Sequence, residues 1–350
     1  MSEAVEARAL VLGRLGERPR LETIEVAAPG PGEVRLRMLA AGLCHTDLTQ
    51  VRDARFTPIL LGHEGVGEIE SVGKGVERVA PGQRVLVCWR VPCGRCVYCG
   101  SGREHLCQST IGLREPRYLR GGEPLRPMLD AGCFCDYAVL PAEAAIPIEV
   151  DLPLEHAALV GCAVATGVGA ALWTARVRAG ESVAVLGAGG VGLNVVVGAR
   201  MAGAGTVVAV DPDPMRRELA RSRGAHAVAP QGEIGRFDHV FEAVGEPAVM
   251  ESAVGALGPG GQLVLVGAAA RDAVLTFLPR RFLSQQQRIV GCIYGSIGDP
   301  HEQLPALLRW CADGTIPLAD LIGRRVPLDD LEEAFGEPVP EGVRTIVTFP

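Results

Sequence analysis

Lysine is almost missing from this chain: Lys74 stands alone against 33 arginines. That skew reflects a GC-rich coding sequence rather than 33 anion sites. No basic cluster accompanies it, and the formal net charge is −7. Nucleic acid and anionic membrane surfaces both require concentrated positive charge, so neither is an expected partner. No run reaches the roughly 18 uninterrupted apolar residues of a membrane helix; the best, Val183 to Val197, is broken by glycines and Asn194. The first 16 residues carry Glu3 and Glu6 and lack the basic, apolar and small-residue order of a secretory leader. A cytoplasmic protein is therefore expected. The 45 glycines follow no collagen-like period, and neither polar low-complexity tracts nor internal repeats are present. What remains is a globular chain of 350 residues, 48% hydrophobic, long enough for two domains.

The texture changes along the chain. From Glu33 to Val87, short strand-like runs (Glu33 to Met38, Gly67 to Val72, Arg84 to Val87) alternate with turn signals at Pro29 to Gly32 and Pro81-Gly82. A cysteine-dense loop from Cys93 to Cys107 follows, then a Gly/Pro/Arg-rich stretch from Gly112 to Gly132 and a strand through Tyr137 to Leu140. Beyond Cys162, apolar runs at 183–186, 207–210, 227–229, 239–242, 263–266 and 289–293 alternate with helical segments. Such strands imply a parallel sheet covered on both faces, and six of them suit a doubly wound α/β dinucleotide fold. A helix over Glu302 to Cys311 and an alternating strand from Arg344 to Phe349 close the chain. That last strand has no place in a parallel sheet and is expected to return to the first domain.

The first of the six runs leads into Gly187-Ala188-Gly189-Gly190-Val191-Gly192, then an apolar helix to Met201, a second strand and Asp211. This is the pyrophosphate-binding turn in its full setting of strand, turn, helix and acidic residue. Gly187 permits the tight turn, Gly189 lets the backbone approach the anion, and Gly192 brings helix and strand together. Asp211 favours ribose hydroxyls over a 2′-phosphate, which predicts NAD; Arg216 and Arg217 nearby pull toward NADP.

Cys93, Cys96, Cys99 and Cys107 form C-x2-C-x2-C-x7-C, a spacing that closes a tetrahedral thiolate shell around a structural metal. Zinc fits this set; an iron–sulfur cluster uses the same ligands, but nothing else in the chain points to electron transfer. Eleven cysteines clustered in this way indicate metal or catalytic roles rather than a disulfide framework. A second, dispersed set comprises Cys44 in Gly42-Leu43-Cys44-His45-Thr46-Asp47, His63-Glu64 in Gly62-His63-Glu64-Gly65, and Cys162 in Gly161 to Gly167. Each alone reads as a buried core residue.

Taken together with the four-cysteine loop, the glycine turn and the terminal Gly342-Val343-Arg344-Thr345-Ile346, these motifs resemble the zinc-dependent alcohol dehydrogenases of the medium-chain dehydrogenase/reductase family. The resemblance spans nearly the whole chain. It implies a β-rich GroES-like catalytic domain over residues 1–163 and 297–350 and a Rossmann coenzyme domain over 164–296. It implies two zinc ions: a catalytic one on Cys44, His63 and Cys162, and a structural one on Cys93, Cys96, Cys99 and Cys107. Glu64 would be an alternative ligand, Asp47 would orient His63, and Thr46 would begin the proton relay. Many members carry a histidine three residues beyond Thr46, where this chain has Thr49, so the relay would end differently. His45 and Arg344 would meet the coenzyme pyrophosphate, Val191 would lie behind the nicotinamide, and Gly187, Gly189, Gly190, Gly192, Asp211 and Arg216 would complete the NAD site. By alignment, Trp89, Met128, Leu129, Ala268 and Ile293 would line an apolar pocket for an aliphatic or aromatic alcohol, or for its aldehyde or ketone.

The long loop between Cys107 and Tyr137 is similar to that of dimeric members, which implies a homodimer joined through the coenzyme domains. Some long-loop relatives oxidise formaldehyde adducts of thiols, gripping the thiol with charged residues; Arg114, Arg117 and Arg120 are the candidates here, with a solvated loop face as the plainer reading. A carbonyl or imine reductase on the same scaffold is a further alternative. A catalytically silent paralogue would readily have lost one of Cys44, His63 and Cys162.

Overall fold

The computed structural model describes residues 3–113, 115–229, 234–337 and 343–350. The chain divides into two compact units, one of Met1–Cys162 with Gly298–Pro350 and one of Ala163–Ile297.

The first unit is built from two β systems. Val5–Leu12, Arg20–Val26, Tyr118–Arg120, Glu123–Pro127 and Ile59–Leu60 close into a small barrel. Its interior is filled by alternating residues such as Ala7, Ala9 and Val11 against Ile24, Val26 and Leu125, the period-2 pattern of strands buried on one face. The Gly/Pro/Arg-rich stretch is thus not a plain loop: it contains the hairpin of Tyr118–Arg120 and Glu123–Pro127. Fully buried Tyr118 holds it in place, its hydroxyl accepting from the Val139 N–H at 2.8 Å and donating to the Val139 carbonyl at 3.3 Å. Burial pushes the pKa of this phenol well up.

Beside the barrel lies a sheet in the order Ala145–Pro147, Arg84–Val87, Glu64–Val72, Glu33–Leu43, Arg344–Thr348, Ile322–Pro327, with Tyr137–Pro141 also paired to Glu33–Leu43. The C-terminal strand therefore finds its place here, antiparallel to Glu33–Leu43 and parallel to Ile322–Pro327. Glu33–Leu43 is almost entirely buried because both its flanks are paired.

The second unit is a six-stranded parallel sheet among the described residues, ordered Ala227–Ala229, Thr206–Val210, Ser182–Leu186, Phe237–Glu242, Leu257–Leu265, Arg288–Gly291. In chain order that is 3-2-1-4-5-6, the doubly wound arrangement. Fully buried Val183, Ala184, Val185, Val240, Phe241, Leu263 and Val264 explain why its strands read as apolar runs; each large one contributes about 1.5–3 kcal/mol by leaving water. The run Val183 to Val197 splits into a strand and the helix Gly190–Met201. The helical run Leu154–Ala175 is, by length and composition, apolar enough to cross a membrane, yet 78% of its most apolar window is buried within the protein.

Candidate active site

Strand register assembles one side-chain cluster. Gly42 pairs with Glu64 and Leu43 with Thr345, so the end of Glu33–Leu43 meets the starts of both antiparallel neighbours. Cys44 follows the first strand, His63 precedes the second and Glu64 opens it, and Arg344 opens the third. Gly42 is required by this closeness, since a Cβ there would stand 2.1 Å from Glu64 Oε2. Cys162 arrives from the helical run packed on the same sheet, within the π-helical turn Val160–Val164; such turns concentrate at functional sites. The ligand atoms of Cys44, His63, Glu64 and Cys162 all lie within 4.8 Å of one another, and all four residues are buried.

Asp47 organises this cluster. Cys44 caps the helix His45–Asp53, and Asp47, in its first turn, accepts from the Cys44 N–H at 2.9 Å. Asp47 also accepts from the Gly62 N–H at 3.1 Å and lies 3.2 Å from His63 Nδ1. With both oxygens already accepting, Nδ1 is the protonated ring nitrogen, and Nε2 keeps its lone pair for a metal. The Trp89 ring meets His63 edge-on, centroids 6.3 Å apart.

The electrostatics match a cation-binding set. Hydrogen bonding between Cys44 and Cys162 moves the two thiols apart: Cys44 goes well below the ordinary thiol value, Cys162 well above it. Burial pushes Glu64 up to about 7 despite its ion pair with Arg344. Among the described residues, Glu64 Oε2 is buried with no hydrogen-bond partner. Two thiols, an imidazole with a directed lone pair and an unsatisfied carboxylate oxygen form a donor set suited to zinc.

The second sulfur cluster is equally well formed. The Sγ atoms of Cys93, Cys96, Cys99 and Cys107 lie within 4.8 Å of one another. Cys96 and Cys99 are 3.5 Å apart, far beyond a disulfide bond, and all eleven cysteines are free. The Cys99 N–H lowers the Cys96 thiol to about 6. Arg90 ties the loop down by donating to the carbonyls of Cys107 at 2.7 Å and His105 at 3.3 Å. Cys88, Cys133, Cys135 and Cys311 are buried and lie outside both clusters.

In the second unit, Gly187 has φ +94° and a Cβ on Gly192 would stand 1.8 Å from the Gly187 carbonyl oxygen. Where a Gly189 Cβ would project, nothing lies within 4 Å. That clear space at the start of Gly190–Met201, where helix N–H groups lack intrahelical partners, fits a pyrophosphate. Gly190 and Val191 open that helix, and the Gly190 carbonyl accepts from Asn194 at 2.7 Å. Asp211, at the end of Thr206–Val210, accepts from the Ala188 N–H at 2.8 Å and the Asp213 N–H at 2.9 Å. Arg216 Nη1 lies 3.9 Å from the Asp211 carboxylate, whereas Arg217 donates to the carbonyls of Asp211 and Pro212.

The remaining expected residues stand as follows. Thr46 Oγ1 is 3.6 Å from Cys44 Sγ, and Thr49 donates to the Thr46 carbonyl at 2.9 Å. His45 is exposed at the start of its helix, and Arg344 is buried against Glu64. Of the pocket residues, Trp89, buried Met128 and exposed Leu129 belong to the first unit, exposed Ala268 and Ile293 to the second. Arg117 is paired with Glu33 and Arg120 with Glu22, both at 2.6 Å, so neither is held ready for a ligand. Arg114 and Gly342 lie outside the described residues. The Arg344–Glu64 pair and the π-helical turn were not anticipated: pairing depends on register and a π-helical turn has no composition of its own.

These features define a zinc-binding dehydrogenase on a two-unit α/β scaffold. Residues 30–150 match the alcohol dehydrogenase GroES-like domain and residues 190–313 the zinc-binding dehydrogenase domain. The chain is 36% identical to the NDMA-dependent alcohol dehydrogenase of Amycolatopsis methanolica, over 95% of each chain. It is 32% identical to the S-(hydroxymethyl)glutathione dehydrogenase of Escherichia coli, over 99% of this chain and 100% of that one. Among solved structures, benzyl alcohol dehydrogenase of Acinetobacter calcoaceticus superposes with a TM-score of 0.88 at 27% identity, covering 99% of this chain and 100% of that one. The chain belongs to the zinc-dependent alcohol dehydrogenases of the medium-chain dehydrogenase/reductase family. It is an oxidoreductase that interconverts an alcohol and its carbonyl compound, using zinc and a nicotinamide cofactor.

Proposed function

We propose that this enzyme oxidises an apolar alcohol with NAD, holding one catalytic zinc on Cys44, His63 and Cys162 and one structural zinc on Cys93, Cys96, Cys99 and Cys107. The observation that carries this reading is the buried donor set with Asp47 fixing the His63 tautomer. When bound, zinc supplies Lewis acidity that lowers the pKa of an oxygen ligand by several units, and NAD supplies the hydride acceptor. The chain's own residues do the rest. Asp47 holds the imidazole so that Nε2 faces the cluster. Thr46 Oγ1, close to Cys44 Sγ, receives the alcohol proton. Thr49 spends its hydroxyl on the Thr46 carbonyl, so the proton continues to solvent rather than to a side chain at that position. Glu64, paired with Arg344, would be the alternative ligand. Asp211 favours NAD by accepting from the ribose hydroxyls and repelling a 2′-phosphate, with Arg216 beside it. Val191 packs behind the nicotinamide, and Trp89, Met128 and Leu129 are the first unit's apolar side chains for the substrate.

The same reading makes the protein a cytoplasmic homodimer. Eleven unbridged cysteines are in keeping with a reducing compartment. The ion pairs of Arg117 and Arg120 weigh against a thiol-adduct substrate. The decisive experiment is zinc per chain by elemental analysis, followed by NADH absorbance with NAD and a panel of alcohols, with and without added thiols. Two zincs and thiol-independent turnover are expected. One zinc per chain, or strict thiol dependence, would overturn the assignment; two zincs with carbonyl reduction alone would reverse its direction.

A further inference from the structure

Among the described residues, no cation pairs with the buried carboxylate of Glu242. This residue ends Phe237–Glu242, its relative exposure is 0%, and among the described residues its Oε2 has no hydrogen-bond partner. Carboxylates are rarely buried in this state, because hydration is lost without a counter-charge to replace it. Burial raises its pKa, opposed by the Gly245 and Val244 N–H groups.

The other atoms of Glu242 are fully occupied. Oε1 accepts from the N–H groups of Val244 and Gly245, both at 2.7 Å. Its backbone carbonyl accepts from Val266 and Gly267, both at 2.9 Å. One residue therefore binds the turns that follow two adjacent parallel strands. The fit leaves no slack: a Cβ on Gly267 would stand 2.8 Å from Glu242 Oε2 and 2.2 Å from the Gly245 nitrogen, and one on Gly245 would stand 2.6 Å from the Ala268 carbonyl oxygen. A Cβ on Gly187 would stand 2.6 Å from Val244 Cγ2, so the turn that Glu242 holds is itself packed on the phosphate-binding turn. Glu242 also sits on the fourth strand, beside Ser182–Leu186, where the strand order reverses and ligands of doubly wound sheets bind.

We infer that Glu242 is a positioning residue for the dinucleotide: through Oε1 its side chain holds the 243–245 turn and so sets the wall that Val244 presents beside the Gly187 turn. The inference rests on the nicotinamide-cofactor reading of that turn. The oxygen Oε1 accepts two N–H groups whether or not Oε2 carries a proton, so the clamp depends on geometry rather than on charge.

The test is NADH titration of the zinc-loaded enzyme by fluorescence, together with steady-state kinetics, for wild type, Glu242→Ala, Glu242→Gln and Val244→Ala. Glu242→Ala is expected to raise the NADH dissociation constant and the coenzyme KM tenfold or more, with zinc content unchanged and alcohol KM within twofold. Glu242→Gln keeps an acceptor oxygen and is expected to stay within threefold of wild type. Val244→Ala, which keeps the clamp and guards against a Glu242→Ala chain that does not fold, is expected to weaken NADH about threefold. Wild-type affinity in Glu242→Ala or in Val244→Ala overturns the inference, as does a Glu242→Gln defect as large as that of alanine. Failure of the wild type to bind NADH would instead overturn the cofactor reading beneath it.

Discussion

Asp47 takes three donors, the N–H groups of Cys44 and Gly62 and the Nδ1 of His63, and it is fully buried. Asparagine at this position would turn an NH2 group toward one of those donors, leaving a repulsive contact where a hydrogen bond had been. Losing such a partner of a metal-ligating histidine costs about 10–100-fold in metal affinity. Asp47→Asn is therefore expected to lose one zinc under a chelator that leaves wild type intact, while the four-cysteine loop keeps its own; wild-type retention at both sites would refute the role given to Asp47. Asp211 presents a different balance, because its carboxylate already supports the turn through Ala188 and Asp213. Removing one charge-assisted hydrogen bond is worth about 1.5 kcal/mol, roughly tenfold. Asp211→Ala is expected to raise the KM for NAD by about tenfold and to narrow the preference over NADP. An unchanged ratio of the two coenzymes' kcat/KM would show that Asp211 serves the turn and not the ribose.

At the scale of elements, the glycine turn shows how a backbone approach becomes a sequence requirement. Gly192→Ala would place a methyl carbon 1.8 Å from the Gly187 carbonyl oxygen, so helix and strand must separate. Overpacking of this kind costs about 1–3 kcal/mol. A lower Tm and loss of NADH binding are expected with zinc content unchanged, and normal NADH affinity would mean that the turn yields more easily than its contacts imply. The same element was readable in the sequence because its rule is local: strand, glycines, helix and Asp211 lie within 30 residues. The parallel strands were readable because they are buried on both faces and so are continuously apolar. Arg20–Val26 escaped notice because Arg20, Glu22 and Glu25 break its pattern and only Ile24 and Val26 are buried. The Tyr118–Arg120 hairpin was hidden by glycines and arginines that serve its turn and its ion pair with Glu22. At the site, ligand types and spacing were legible in Cys44, His63 and Cys162, whereas the Glu64–Arg344 pair was not. It joins residues 280 positions apart through strand register, which no local pattern encodes.

At the scale of the whole molecule, the second unit carries an edge strand and an exposed apolar segment close together in sequence. Among the described residues, Arg288–Gly291 is the last strand of the six-stranded sheet, with a paired neighbour on one side only. Close by in sequence, Val274, Leu278 and Leu283 are 72%, 74% and 83% exposed, and Phe277 is 42% exposed. An open edge strand and a contiguous apolar segment are aggregation hazards in a monomer, and proteins ordinarily cover or charge them. A second copy related by a two-fold axis would cover both at once, the edges pairing antiparallel and the apolar segments meeting their equivalents, which is the isologous arrangement commonest among homo-oligomers. The expected state by sedimentation velocity is therefore a dimer at micromolar concentration. Leu278→Asp combined with Leu283→Glu places two like charges per chain on that surface and is expected to give monomers that still bind two zincs, since both metal clusters lie in the other unit. A wild-type monomer would remove the proposal outright, and a dimer that survives the double substitution would move the contact to another surface of the chain.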